Sequence, residues 1–147
     1  MDRFTSTVDL HLVLRDDQGR VALGRRRNTG YMDGYYHVPA GHLEAGESFT
    51  RGAARELREE TGALVEREEL RLAHTMHHFT NSARTALFFE VTRPTWELAN
   101  PEHDKCEGWE FFAPDALPDK IVPYTASALG HIAKHIIYSE RGWENAS

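Results

Sequence analysis

Glu56, Glu59 and Glu60 stand at i, i+3 and i+4 within the run Arg55-Glu56-Leu57-Arg58-Glu59-Glu60. On a helix that spacing puts three carboxylates on one face, about one turn apart. Like charges held so close repel, and a cation among them removes the repulsion. A hard divalent ion such as Mg2+, with Mn2+ as the alternative, takes carboxylate oxygen and keeps part of its water shell. Such a centre can neutralise anionic oxygens and make a water nucleophilic near neutral pH, the two requirements of metal-assisted hydrolysis. Adjacent glutamates perturb each other's proton affinity, so one could serve as base while two hold metal, and the spacing does not say which.

The residues around the acids supply the frame. From Ser48 onward, Phe49, Ala53, Ala54 and Leu57 recur at spacings of three and four, which predicts an amphipathic helix with Gly62 as its C-terminal stop. Gly41 and Gly46 let the preceding chain fold into a tight loop that turns peptide groups toward a ligand. Glu44 and Glu47 lie on that loop, within reach of Arg55, whose fork can pair with one of them and tie loop to helix.

These positions resemble a known signature. Gly41, five residues, Glu47, seven residues, Arg55-Glu56-Leu57, one residue, Glu59-Glu60, one residue and Gly62 match every fixed position of the Nudix box of the Nudix (MutT-related) hydrolases. Ala63 is a small occupant of the aliphatic slot that follows. The resemblance implies a metal-dependent hydrolase of a nucleoside diphosphate linked to another group. It also implies that Glu56, Glu59 and Glu60 are metal ligands or the base, with Arg55 and Glu47 supporting the loop. The carbonyl before Gly41, here that of Ala40 where many members have glycine, would join the metal shell. The implied fold is α/β: a mixed β-sheet between the box helix and a C-terminal helix, an α/β/α sandwich. Residues 1–147 would be one Nudix domain with its box at 41–63, and a homodimer would fit the family.

A weaker likeness narrows the substrate. Pro101-Glu102, Lys105-Cys106-Glu107, Trp109, Phe111 and Leu117-Pro118 resemble the branch that cuts nucleoside triphosphates, modified ones included, to monophosphate and pyrophosphate. A nucleotide sugar or prenyl diphosphate is the alternative substrate. A non-catalytic nucleotide sensor is the alternative of another class, and the intact glutamate row argues against it.

Charge and composition agree with a small ligand. The 17 basic and 23 acidic residues give a net charge of −6, which disfavours binding to a nucleic-acid polymer. A small anion remains open to a site whose metal supplies positive charge. A length of 147 residues suits one domain with a sizeable core. The single cysteine, Cys106, forbids an intrachain disulfide, and no signal-like or membrane-spanning apolar run occurs, so a cytoplasmic protein with no membrane partner is expected.

The remaining chain provides strands and candidate substrate contacts. Thr5 to Leu14 predicts a strand with His11 packed inside it, and Asp16 to Gly19 a turn that returns Arg20 to Gly24 as a hairpin. Arg25, Arg26 and Arg27 open a surface loop, expected to be mobile, and could clamp phosphate. Tyr35 to Val38, which holds His37, reads as a short strand leading into the acidic loop. His74 to Phe79 and Arg84 to Thr92 follow as strands, with His77 and His78 on opposite faces and so poorly placed for zinc. Pro94 to Cys106 predicts a loop over the site, followed by a strand from Glu107 to Phe112. Arg25, Arg26 and His37 are the polar substrate candidates, with Phe79, Trp109 or Phe111 as stacking rings. Glu107 is a candidate additional ligand or base. Ala126, Leu129, Ile132, Ala133, Ile136 and Ile137 predict a helix over Pro123 to Tyr138, and Trp143 to Ser147 a loose tail.

Overall fold

The computed structural model describes residues 2–146. Its strands are β1 (Thr7–Arg15), β2 (Val21–Arg26), β3 (Tyr36–His37), β4 (Ala40–His42), β5 (Arg71–Phe79), β6 (Ala83–Thr92), β7 (Cys106–Phe112) and β8 (Tyr138–Arg141). Two helices accompany them, α1 (Phe49–Thr61) and α2 (Pro123–Ala133). The strands form one mixed sheet in the order β3-β2-β1-β6-β5-β8, with β4 added to β1 and β7 to β2. β1 runs parallel to β6, and β5 parallel to β8.

The sandwich follows from alternation along β1. Leu10, Leu12 and Leu14 join Ala53 and Leu57 of α1 in one buried layer, while Val13 joins Phe88, Leu129 and Ile132 in the layer under α2. A strand apolar on both faces needs cover on both, which explains the unbroken run of buried residues in this segment. His11 lies on the α2 side, stacked on Phe88 at 4.4 Å, and burial lowers its pKa to about 4, so it is a neutral core residue.

The turn after β1 is fixed by Asp16, whose Oδ1 accepts from the backbone amides of Gln18 and Arg20. The hairpin is brief: β1 and β2 meet at Arg15 and Val21, after which β2 pairs with β3 and β7. In the loop after β2, expected to be mobile, Asp33 accepts from the amides of Thr29 and Gly30 and from the Thr29 hydroxyl. That brace gives the exposed loop a defined shape.

The C-terminal helix is shorter than its periodicity predicts. It ends at Ala133, His135 turns through φ 57°, and Ile136 donates its amide to the carbonyl of His131. Ile136 and Ile137 therefore leave the helical stripe and lie exposed. The competing element is the open edge of β5, whose backbone groups need partners. β-branched and aromatic residues suit extension, and β8 supplies the pairing from Thr75↔Tyr138 to His78↔Arg141. The expected loose tail is likewise placed as far as residue 146. Trp143 to Asn145 form a short 3-10 helix, and the Trp143 indole donates to the carbonyl of His77 at 2.8 Å. Ser147 lies outside the described residues.

Candidate active site

Helix α1 begins where Ser48 accepts from the amide of Arg51 and ends at Gly62, in the left-handed region at φ 77°. Its acids separate by burial on this frame. Glu56 and Glu60 are each 9% exposed, whereas the Glu59 side chain is 44% exposed and turns toward Arg55. Glu60 also accepts from the amide of Ala40 at 2.9 Å. Gly41 is tight against Glu56: a Cβ there would fall 2.0 Å from the carboxyl carbon. The loop can lie on the acid only because position 41 has no side chain.

Arg55 joins loop to helix as its spacing predicts. It forks onto Glu47 at 2.6 and 3.0 Å, reaches Glu56 at 2.7 Å, and donates to the carbonyl of His42 at 2.9 Å. The guanidinium, with the amide of Glu44, holds the Glu47 carboxyl down to about 2. A point charge cannot reproduce this fork. Arg55→Lys is therefore expected to lower kcat/KM by about 10–100-fold, the usual effect of removing an outer supporting contact. Steady-state kinetics with a circular-dichroism check would measure it.

Burial pushes the Glu56 and Glu60 carboxyls above their ordinary range, Glu60 strongly, and the charges of Glu56 and Glu102 raise Glu60 further. A group that binds its proton more tightly when folded stabilises the protein below its unfolded pKa, and that stability is lost as pH rises through the folded pKa. Without divalent metal, the melting temperature should fall as pH rises above the ordinary glutamate range, and Glu60→Gln should melt higher than the wild type at the alkaline end. Thermal melts of both proteins from that range upward, with chelator present, would measure this.

Both acids open on a cleft of about 380 Å³. Ala40, Gly41, Arg26, His37 and Trp109 also line it, so four of the predicted site residues, Ala40, Arg26, His37 and Trp109, converge with the two buried glutamates. Trp109 sits on Gly24, and its indole donates to the carbonyl of Glu60 at 3.1 Å. His37 stacks on Trp109, and burial with the Arg26 charge lowers its pKa to about 3. Arg26 donates to the Nδ1 of that neutral ring at 2.9 Å, while its other donors hold Tyr31 and Thr29.

Four predicted ligand or substrate candidates lie elsewhere. Arg25 and Glu107 face each other at 3.5 Å outside the cleft lining: regular alternation would put Glu107 on Trp109's face, but the β2–β7 register shifts between Gly24 and Arg26 and Gly108 turns through φ 112°, which breaks it. Phe79 lines a second cleft of about 430 Å³ and packs on Trp143, so it cannot pair with Trp109 around one ring. Phe111 packs in the layer under α1. His77 lies against Trp143 and His78 against Tyr124, on separate neighbours as their alternation predicts. Cys106 is buried, and burial pushes its thiol up, so it is a packing residue at the cleft wall.

Other lining residues were not named as ligand, catalytic or substrate candidates from the sequence. Asn100, Glu102 and Lys105 belong to the loop expected to cover the site. His42 is a different case. Its Nδ1 lies 2.6 Å from Asp9, which Arg84 grips at 2.8 and 2.9 Å. Only the register of β1 against β4 and β6 brings these three together.

Among the described residues, no three His, Cys, Asp or Glu side chains form a ready-made metal cage. Glu56 and Glu60 nevertheless fit a divalent ion. They are two adjoining, nearly dry carboxylates facing a cleft, and a hard cation can complete its shell with water and substrate oxygen.

Comparisons with known proteins agree with this geometry. The NUDIX domain profile matches residues 6–130. The chain is 33% identical over 126 residues to the NAD-capped RNA hydrolase NudC of Pseudomonas aeruginosa, covering 86% of this chain and 40% of that protein. It therefore spans well under half the length of that relative. It is 27% identical over 132 residues to the RNA pyrophosphohydrolase of Novosphingobium aromaticivorans, covering 77% of this chain and 81% of that one. The MutT NUDIX hydrolase structure from Burkholderia pseudomallei superposes with a TM-score of 0.76 at 25% identity, covering 86% and 98% of the two chains. With the match extending from the first strand through the acidic helix into α2, the chain belongs to the Nudix hydrolase family.

Proposed function

We propose that this Nudix domain hydrolyses a nucleoside diphosphate linked to another group, most simply a nucleoside triphosphate cut to monophosphate and pyrophosphate. The observation that carries the reading is the pair of buried acids, Glu56 and Glu60, pressed against Gly41 and Ala40 at the floor of the first cleft. Glu56 and Glu60 would hold Mg2+ or Mn2+, and the ion would neutralise phosphate oxygen and acidify water.

The chain's own residues do the rest. Arg55 fixes the Glu56 carboxylate, and the amide of Ala40 fixes that of Glu60, so neither has to reorganise during the reaction. Lys105 is an exposed cation in the cleft lining for the phosphate chain, and Arg26 a fixed one whose donors already serve the loop. The water oxygen bonds to phosphorus as the bridging P–O bond breaks, and the released proton passes to a carboxylate of the cleft. The names of the two relatives support pyrophosphate chemistry at a nucleotide, and the net charge of −6 favours a free nucleotide over a polymer.

Assay of nucleoside triphosphates, nucleotide sugars and capped dinucleotides with Mg2+ or Mn2+, with product identification, tests the reading. Pyrophosphate release from at least one triphosphate is expected. No hydrolysis of any compound with either metal would refute it.

A further inference from the structure

Strand β8 satisfies the free side of β5 but leaves an edge of its own. It stands last in the sheet order, and among the described residues no strand pairs with its outer side. The amide of Thr75 donates to the carbonyl of Ile137 at 2.9 Å, which fixes the parity of the parallel ladder. The backbone groups of Ser139 therefore turn toward β5, and those of Tyr138 and Glu140 turn outward. Both of these residues are exposed.

Proteins usually blunt an open edge with lysine, proline or a bulge. Tyr138-Ser139-Glu140-Arg141 carries none of these. Apolar surface lies at its start instead: Ile136, Ile137 and Tyr138 are 38%, 76% and 49% exposed. A single exposed apolar residue is ordinary, but three in succession beside an unpaired strand form a patch that asks for cover.

The strand is complementary to itself. Antiparallel pairing about a twofold axis through Ser139 would put Tyr138 opposite Glu140 of a second copy, and Glu140 opposite its Tyr138. These are the residues whose backbone groups point outward, so each such pair can exchange both its bonds. The Tyr138 hydroxyl, which donates to its own Glu140 at 2.6 Å, would then stand by a second carboxylate on the same face. On the other face Ile137 would come opposite Arg141, whose aliphatic stem can cover it. Glu140 and Arg141 cancel in charge, so two such strands do not repel at the contact.

The neighbouring registers fail. A shift of one residue sets outward groups against inward ones. An axis at Glu140 opposes the two Glu140 side chains. An axis at Tyr138 needs the amide of Ile136, which is committed to the carbonyl of His131.

We propose that β8 is the surface by which two copies of this chain associate, edge to edge with Ser139 on the twofold axis, so that their sheets become one. A strand of 4 residues supplies a small contact, which makes the dimer weak and dependent on concentration.

Sedimentation velocity of the full chain from about 1 to 200 μM tests it. Wild-type protein should move from the mass of one chain toward that of two. Glu140→Pro removes an outward amide and no bond to β5. It should weaken association about tenfold or more, while the melting temperature at the dilute end stays close to that of the wild type. Ile137→Lys, at an exposed position, puts a second cation opposite Arg141 and should do the same. Ser139→Cys should form an interchain disulfide under mild oxidant, because facing residues of a non-hydrogen-bonded pair lie about 4.5 Å apart. Arg141→Cys should not, and Cys106 is buried and does not compete. A wild-type chain that keeps the mass of one copy throughout would overturn the proposal. So would undiminished association in both Glu140→Pro and Ile137→Lys, or crosslinking at position 141 in place of 139.

Discussion

Glu56→Gln is expected to lower kcat/KM on the best substrate by about 10²–10⁴-fold, with the fold intact. Glutamine keeps the volume of the buried carboxyl but removes its charge, so both metal affinity and proton acceptance are lost at a site where Arg55 has fixed the geometry. Glu59→Gln should cost far less, because its side chain is largely in solvent and meets the helix frame only through Arg55. Steady-state kinetics of both variants, with melting curves to check folding, separate the two positions. A larger loss at position 59 than at 56 would mean that the outward carboxylate is the important one, and the division of labour drawn from burial would fail.

Gly41→Ala is expected to cost about 10²-fold in kcat, the effect of displacing a catalytic group by roughly an ångström. The added methyl cannot share space with the Glu56 carboxyl carbon 2.0 Å away, so the acid or the loop must move. Overpacking of this kind also costs about 1–3 kcal/mol of stability. Gly46→Ala is the informative contrast. Nothing lies within 4 Å of a Cβ there, and the penalty is the backbone strain of φ 83°. It should lower the melting temperature with a small effect on kcat, whereas Gly41→Ala should lower kcat first.

The site was legible in the sequence where its geometry is local. One helix carries Arg55, Glu56, Glu59 and Glu60, so their spacing alone reported a common face, and Glu47 lay close enough along the chain for its fork with Arg55 to be foreseen. Spacing could not say that Glu59 turns out while Glu56 and Glu60 turn in, because that depends on what the sheet and the loop at Gly41 place against each side chain. Trp109 and His37 were named as separate candidates, but their stacking depends on β2 pairing with both β3 and β7. Arg25 was misplaced because its type was weighed without the strand face that carries it, and Glu107 because a register shift between β2 and β7, which no local pattern records, separates it from Trp109. The Asp9, His42 and Arg84 cluster was missed for a related reason: three strands meet there and no short spacing records it.

The α/β/α sandwich was what the family resemblance implied, while apolar patterning marked β1, β6 and the two helices as its separate elements. The C-terminal strand was not marked, since Ile132, Ile136 and Ile137 continue a helical period that local sequence cannot distinguish from a break. The deciding term is long-range. β5 has an edge that would otherwise lack partners, and the chain after Ala133 satisfies it. The same segment then forms one wall of the second cleft.

The central claim is that Glu56 and Glu60 together hold the cation that makes a phosphoanhydride cleavable. A crystal structure with Mn2+ and an α,β-methylene nucleoside triphosphate, phased to locate anomalous scattering, tests this most directly. The account predicts a manganese peak within coordination distance of both carboxylates, with phosphate oxygen on its open side. Occupied nucleotide with manganese absent from Glu56 and Glu60, or bound only at Glu59 or Glu107, would contradict it.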